Sequence, residues 1–457
     1  MDTPICDYVK KYSESDYSRL HMPGHKGKNM IGPENIDITE IEGADALFHA
    51  DGIIKKSEEN ASLLFKSGAT FYSTYGSTHC IASMVTIAQN IAKSEGADYL
   101  TCKKIIALRN VHKAFINICA MLDLDVEWIF PDKSNDSICQ CNVSVERIEE
   151  VLKSTDAFAL YITSPDYLGN VADIQTISKL CHDNGKLLLV DNAHGAYLAF
   201  LKESLHPIAL GADMCNDSAH KTLPVLTGGA YLHLSKEIAG KCSNVKDIMS
   251  LYASTSPSYV IMQSLDMCNK YLEESFRNDI IKTGKKVKEL EDYIRNLGFE
   301  TIGNEDLKIT VYTGKSGIDG NTFADVLREH KAECEFSDNN FVVLMFSTFN
   351  DDIDYIRVKN AADSIKATIK HEEILVKKES AQSIFVPKKV MTIRQAVFSP
   401  SRKVNVDEAA GKICGMTVVS CPPAIPVVVS GELINEKMIP LFKNNGIENI
   451  NIVDCED

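Results

Sequence analysis

Apolar and polar positions along this chain follow two recurring patterns. Short, uniform apolar runs appear at Lys104-Ile105-Ile106-Ala107-Leu108, at Val126 to Phe130, at Phe158 to Thr163 and at Leu187-Leu188-Leu189-Val190. Runs of this length and uniformity predict strands buried on both faces. Between them lie stretches that mix apolar and charged residues, such as Ser144 to Ser154, which predict helices. Gly68 to Met84 predicts a strand, a turn and a helix, and residues 1 to about 20 a short polar helix. Alternation of this kind predicts an α/β fold built on a large, mostly parallel sheet. Further on, Asn278 to Leu297 predicts a long helix with Lys and Glu on its polar face. Strand-like runs at Lys308 to Thr313 and Phe341 to Phe346 then alternate with helical stretches at Thr322 to Lys331 and Asp354 to His371. That βαβ-type cadence predicts a smaller second domain, with the charged stretch His371 to Glu379 as a candidate linker.

The ends of the apolar runs carry the candidate chemistry. The run at 187–190 stops at Asp191 and continues as Asn192-Ala193-His194-Gly195. Ligands in open α/β sheets bind at the carboxyl ends of strands. A second run leads to Ser218-Ala219-His220-Lys221, and Thr227-Gly228-Gly229 precedes another apolar strand. An aspartate at one strand end and a lysine at the next suit pyridoxal 5′-phosphate (PLP). The lysine bonds to the aldehyde, and the carboxylate keeps the pyridine nitrogen protonated. Alone, either residue is ordinary: an Asp after a strand often caps a helix, and a loop lysine is usually solvated. Of the three His-Lys dipeptides, at 25–26, 112–113 and 220–221, only the last follows the strand-end aspartate at a suitable distance. Gly76-Ser77-Thr78 sits where a helix should begin, so backbone N–H groups and two hydroxyls can face an anion. A plain Ser/Thr N-cap is the simpler reading of the same residues.

Composition narrows the setting. The 457 residues are 44% hydrophobic, enough to bury a large core in more than one domain. A net charge of −15 argues against a nucleic-acid backbone binder. The 14 cysteines are scattered, with Cys139-Gln140-Cys141 the only close pair, which is neither a zinc pattern nor a disulfide scaffold. No apolar run reaches membrane length and the amino terminus has no signal-like apolar core. A cytoplasmic protein with reduced thiols, no metal and no membrane contact is expected.

The segments DNAHGA (191–196), SAHKTLP (218–224), TGGAYLH (227–233), HMPGHKG (21–27) and STSPSY (254–259) together resemble the Orn/Lys/Arg decarboxylase family. These are fold-type-I, aspartate-aminotransferase-like PLP enzymes, and the likeness is to their short bacterial form without the amino-terminal wing. The resemblance implies a large sheet of seven-stranded type and smaller α/β carboxyl-terminal domains. Its implied boundaries are 1–30 for the amino-terminal segment and loop, 31–280 for the PLP domain, 281–375 for a small domain and 376–457 for a decarboxylase-type domain. It makes Lys221 and Asp191 catalytic, with His220 a second proton carrier. Gly76, Ser77, Thr78, Ser218 and His220 would surround the phosphate, and His112 of the R-N-x-H-K run would stack on the ring. His194 would meet the ring's phenolic oxygen. Thr255 would reach the phosphate of a neighbouring subunit, implying a homodimer with shared sites that could build higher oligomers. His25, Tyr167 and Glu432 would face the substrate.

The implied reaction is decarboxylation of a basic amino acid in polyamine metabolism. Arginine to agmatine is the first choice, then lysine to cadaverine or ornithine to putrescine. The alternatives are another fold-type-I enzyme, such as an aminotransferase, or a catalytically silent regulatory relative. Five positions depart from the family pattern. Tyr75 stands for Asn, His79 for a smaller residue, Asp166 for Thr, Ala424 for Gly and Ser430 for Pro. Asp166 is expected to point to solvent.

Overall fold

The computed structural model describes residues 1–132, 137–369, 386–419 and 424–454. The candidate linker at His371 to Glu379 and the Ser420-Cys421-Pro422-Pro423 part of the tail lie outside the described residues. Seven strands, β1 (Ala69–Ser73), β2 (Lys104–Leu108), β3 (Asp125–Ile129), β4 (Ala159–Thr163), β5 (Leu187–Asp191), β6 (Met214–Asp217) and β7 (Ala230–Leu234), form one sheet. Their order is β1-β7-β6-β5-β4-β2-β3. Parallel pairing joins β2 to β3, β2 to β4 and β5 to β6. β7 runs against its neighbours β6 and β1. The sheet is therefore mostly parallel, and its strands are apolar on both faces because both are covered.

By spatial proximity the chain forms two compact units, each assembled from two stretches of sequence. The first comprises Met1–Asp98 and Asp173–Ile281. It opens with α1 (Pro4–Ser13), shorter than the expected helix, with Ile5 and Val9 buried on one stripe. Proline at the first turn has no N–H to satisfy, and the next two N–H groups, of Ile5 and Cys6, each donate to Asp266 at 3.0 Å. A carboxylate there also suits the positive end of the helix dipole. Then come α2 (Ile53–Phe65), β1 and α3 (Gly76–Ser94). Gly76, at φ 71°, turns the chain from β1 into α3 in a conformation that disfavours other residues.

The second unit comprises Tyr99–Ala172 and Lys282–Asp457. Its smaller sheet contains β8 (Glu300–Ile302), β9 (Lys308–Tyr312), β10 (Phe336–Ser337) and β11 (Phe341–Met345), in the order β10-β11-β9-β8. The expected alternation of strand-like and helical stretches is found here, but every pair in this sheet is antiparallel, unlike a parallel βαβ unit. Two of the connections, after β8 and after β10, are short loops, and short loops can join only antiparallel neighbours. Helices Gly320–Glu329 and Asp352–Ile369 accompany this sheet, and Leu290, Phe299, Ile309, Phe323, Val342 and Ile365 share its core. Towards the carboxyl terminus, strand Ser401–Asn405 pairs antiparallel with Asn449–Val453 over a separate core that includes Val404, Val428, Ile434 and Phe442. The described cysteines carry no disulfide. Among the described residues no helix is long and apolar enough to cross a membrane.

Candidate active site

In the first unit, β5 ends in Asp191, which is buried. In the β5–β6 register Asp191 is the partner of Asn216. Register partners share a sheet face, and Asn216 Nδ2 donates to Asp191 Oδ1 at 2.8 Å. One residue further along each strand the pairing reverses, with Asn192 Nδ2 donating to Asp217 Oδ1 at 2.6 Å. Lys221 lies on the single helical turn Ala219–Thr222 that follows β6. Its Nζ is 2.9 Å from His194 Nε2. His220 donates Nδ1–H to the Gly229 carbonyl oxygen at 3.0 Å, and its backbone N–H donates to the same oxygen.

The head of α3 has no side-chain cap, and its capping position is Tyr75 rather than a serine or threonine. The simple Ser/Thr N-cap reading of 76–78 therefore fails. Instead Ser77 Oγ lies 2.6 Å from Ser218 Oγ, so two hydroxyls from different elements meet at the head of a 19-residue helix. A side chain on Gly76 would project into open space there. Thr78 is exposed. Thr255 is also exposed, in the Ser254–Ser258 loop, whose Ser254 carbonyl accepts from the Tyr75 hydroxyl at 3.0 Å. His25 Nδ1 accepts from the Gly27 N–H, which leaves the Nε2 proton facing Asp37 Oδ2 at 3.2 Å.

In the second unit, His112 caps helix Lys113–Leu122, its Nδ1 accepting from the Ala114 N–H at 3.1 Å. The Tyr167 hydroxyl donates to Glu335 at 2.8 Å. Glu432 is buried and holds Arg109 through two bonds of 2.9 and 2.7 Å, while also accepting from the Val429 N–H at 2.8 Å. The expectation that Asp166 faces solvent is corrected. It is buried, accepting from the N–H groups of Leu168 and Asn170 at 2.9 Å each and from Asn170 Nδ2 at 2.7 Å. It closes the turn after β4 from inside, and burial pushes its pKa up.

The other departures have local reasons. His79 is buried between Ser73 Oγ and the Met249 carbonyl, at 2.8 Å from each, and burial lowers its pKa. Ser430 donates its N–H to Thr417, a bond proline could not make. Ala424 sits at φ 59°, the left-handed region where the family's glycine would be at ease. Three participants were not read from the sequence. Asn216 and Asn192 brace carboxylates across the β5–β6 pair, and Arg109 is the partner of Glu432. Arg109 lies in the R-N-x-H-K run and was visible as a charge at a strand end. The two asparagines gave no signal before the register was known.

Residues 3–308 match the family model described as Orn/Lys/Arg decarboxylase, major domain, and residues 376–445 match that of its C-terminal domain. The chain is 28% identical over 469 residues to an arginine decarboxylase of Bacillus subtilis (strain 168), covering 97% of this chain and 94% of that protein. It is 27% identical over 485 residues to an arginine decarboxylase of Halalkalibacterium halodurans, covering 100% and 96%. Among solved structures, lysine decarboxylase A from Pseudomonas aeruginosa superposes with a TM-score of 0.78 at 15% identity, over 99% of this chain and 80% of that one. The Francisella novicida lysine decarboxylase gives 0.76 at 18%, over 99% and 81%. At such identities the two structures demonstrate a common fold.

Proposed function

This chain belongs to the Orn/Lys/Arg decarboxylase family, and we propose that it is a PLP-dependent arginine decarboxylase serving polyamine metabolism. Lysine and ornithine are the next candidates as substrate. Arginine comes first because relatives named arginine decarboxylase align along nearly the whole chain. The observation that carries the cofactor reading is the donor set of the first unit. A buried carboxylate ends β5, a lysine follows β6, and two hydroxyls meet at an uncapped helix head. These fit a protonated pyridine nitrogen, an aldehyde and a phosphate respectively.

When bound, the cofactor supplies an electron sink for the pair released as the carboxylate leaves as CO₂. The protein's own groups have separate tasks. Asp191, held by Asn216, would keep a proton on the pyridine nitrogen. Ser77, Thr78, Ser218 and the amino-terminal end of α3 would bind the phosphate dianion, since N–H groups and the helix dipole both favour negative charge there. His194 would orient Lys221, and His112 would hold the ring plane. Lys221 or His220 would return a proton to Cα, so that arginine and one proton become agmatine and CO₂. Thr255, exposed on its loop, would serve a neighbouring subunit's phosphate in a homodimer. For the substrate side chain, His25, Tyr167 and Glu432 are the candidates. Each already has a protein partner, so recognition by any of them means exchanging that partner.

Purified protein incubated with PLP and each of arginine, lysine and ornithine in turn tests this. Release of CO₂ with agmatine as the amine is expected, and none from Lys221→Ala. A keto acid in place of an amine would overturn the reaction class. Release from lysine or ornithine but not arginine would overturn the substrate choice.

A further inference from the structure

On the sheet face opposite Asp191 lies a cluster that the proposed chemistry does not use. Asp217 ends β6, and Asp217, His206 and His233 are all fully buried, at 0% exposure. His206 Nε2 and His233 Nε2 each lie 3.1 Å from the same oxygen, Asp217 Oδ2. Asn192 Nδ2 donates to the other oxygen. His233 Nδ1 is 2.8 Å from Thr70 Oγ1 on β1, and Phe65 lies against both imidazoles, with centroids 5.4 and 4.5 Å away.

The network assigns the protons. Among the described residues His206 Nδ1 is buried without a hydrogen-bond partner. A proton there would be an unmet buried N–H, so Nε2 is the nitrogen that donates to Asp217. Burial lowers the pKa of His233, and its Nε2 also faces Asp217 Oδ2. The cluster is thus one buried carboxylate facing three N–H donors. Burial alone would raise the Asp217 pKa, but His206 and His233 outweigh it and hold the carboxyl well below its ordinary range. Both rings direct N–H groups at the oxygen itself, which is donor geometry rather than ligation of a shared ion.

This carboxylate stands at the root of the lysine's turn. Ser218 follows it directly, and the Lys221 N–H donates to the Ser218 carbonyl at 2.9 Å. The turn Ala219–Thr222 is four residues long and has no side-chain cap. A helix so short cannot hold its own place and takes its position from anchors at its ends. The reciprocal bonds from Asn216 to Asp191 and from Asn192 to Asp217 then tie both strand ends together.

We propose that Asp217 is a positioning residue for Lys221, fixing through His206, His233 and Asn192 the strand end from which the lysine's turn departs. The inference rests on the reading of Lys221 as the cofactor-bearing lysine. His206 gives the cleanest perturbation, because its ring donates to Asp217 and its other nitrogen bonds to nothing among the described residues. His206→Phe keeps a planar ring but removes the donor, whereas His206→Gln can still donate. Two readouts are compared at a temperature where circular dichroism shows all proteins folded. They are the rate at which PLP becomes borohydride-trappable at Lys221, and amide hydrogen exchange over residues 217–222. His206→Phe should slow trapping by about tenfold or more, the scale of one lost charge-assisted hydrogen bond, and should speed exchange. His206→Gln should stay within about twofold of wild type. Should His206→Phe not fold, His206→Leu replaces it. Equal trapping and equal exchange in every variant overturn the proposal. Stoichiometric zinc in the wild type that His206→Phe loses also overturns it, because the cluster would then be a metal site. If wild-type Lys221 is never labelled, the cofactor reading fails by itself. The exchange comparison still decides the clamp: faster exchange in the donor-less variant alone supports it, and unchanged exchange overturns it.

Discussion

Replacing Glu432 with alanine would strip a buried counter-ion from Arg109 and leave the guanidinium charged. The pair is bidentate at 2.9 and 2.7 Å, and the side chains are only 12% and 6% exposed. Arg109 also lies over Trp128 and Phe130, 5.0 and 5.4 Å from their ring centres, so little water can replace the lost carboxylate. Breaking one side of such a pair costs about 3–5 kcal/mol, whereas replacing both sides with apolar groups often costs far less. Arg109→Met and Glu432→Ala should therefore each destabilise the second unit by that amount. The double variant should cost no more than either single change, and so fall short of the sum by about 3 kcal/mol or more. Trp128 is the single tryptophan of the chain, so its fluorescence during urea unfolding follows this unit beside the perturbation. Additive costs would refute the buried-pair argument. So would a Glu432→Ala protein with an unchanged midpoint and a raised KM for arginine, which would make Glu432 a substrate contact instead.

Three further outcomes are expected. Burial, reinforced by the like charge of Asp319, pushes Asp338 up to about 6 despite the N–H groups of Asn340 and Phe341. Between the unfolded value near 4 and about 6 the folded state keeps a proton that the unfolded state has released. Stability should thus fall as pH rises through that window. Asp338→Asn should flatten the curve and gain about 1–3 kcal/mol at neutral pH, and an unchanged slope in denaturant melts from pH 4 to 7 would contradict this. Asp166→Ala should lower stability by about 1–3 kcal/mol through three lost turn bonds, read from the denaturation midpoint; an unchanged midpoint argues that the turn holds without it. Thr255→Asp and Lys221→Ala subunits, refolded together, should recover about a quarter of wild-type activity, because half of randomly paired dimers carry one intact site. Mixed dimers no more active than the separate homodimers would refute a shared site.

The strands of the large sheet were legible because burial on both faces demands uninterrupted apolar runs. Lys104 to Leu108 reads the same in sequence and structure, and Ser144 caps its helix, its side chain accepting from Arg147. Motif residues could be named because Asp191, His194 and the Ser218–Lys221 turn occupy contiguous segments whose residue types suit the proposed chemistry. Strand direction in the small sheet was not legible, since alternation of apolar and polar positions is the same for parallel and antiparallel strands and only the pairing distinguishes them. Nor was Asp166, because a carboxylate next to turn residues looks solvated until the N–H groups it accepts from are seen. The partnerships Arg109–Glu432 and His206–Asp217–His233 join residues from separate stretches of chain. Local sequence determines which groups are present, and the register of β5, β6 and β7 with the packing around them decides which charges meet. A buried charge is tolerated only where folding has delivered its donors.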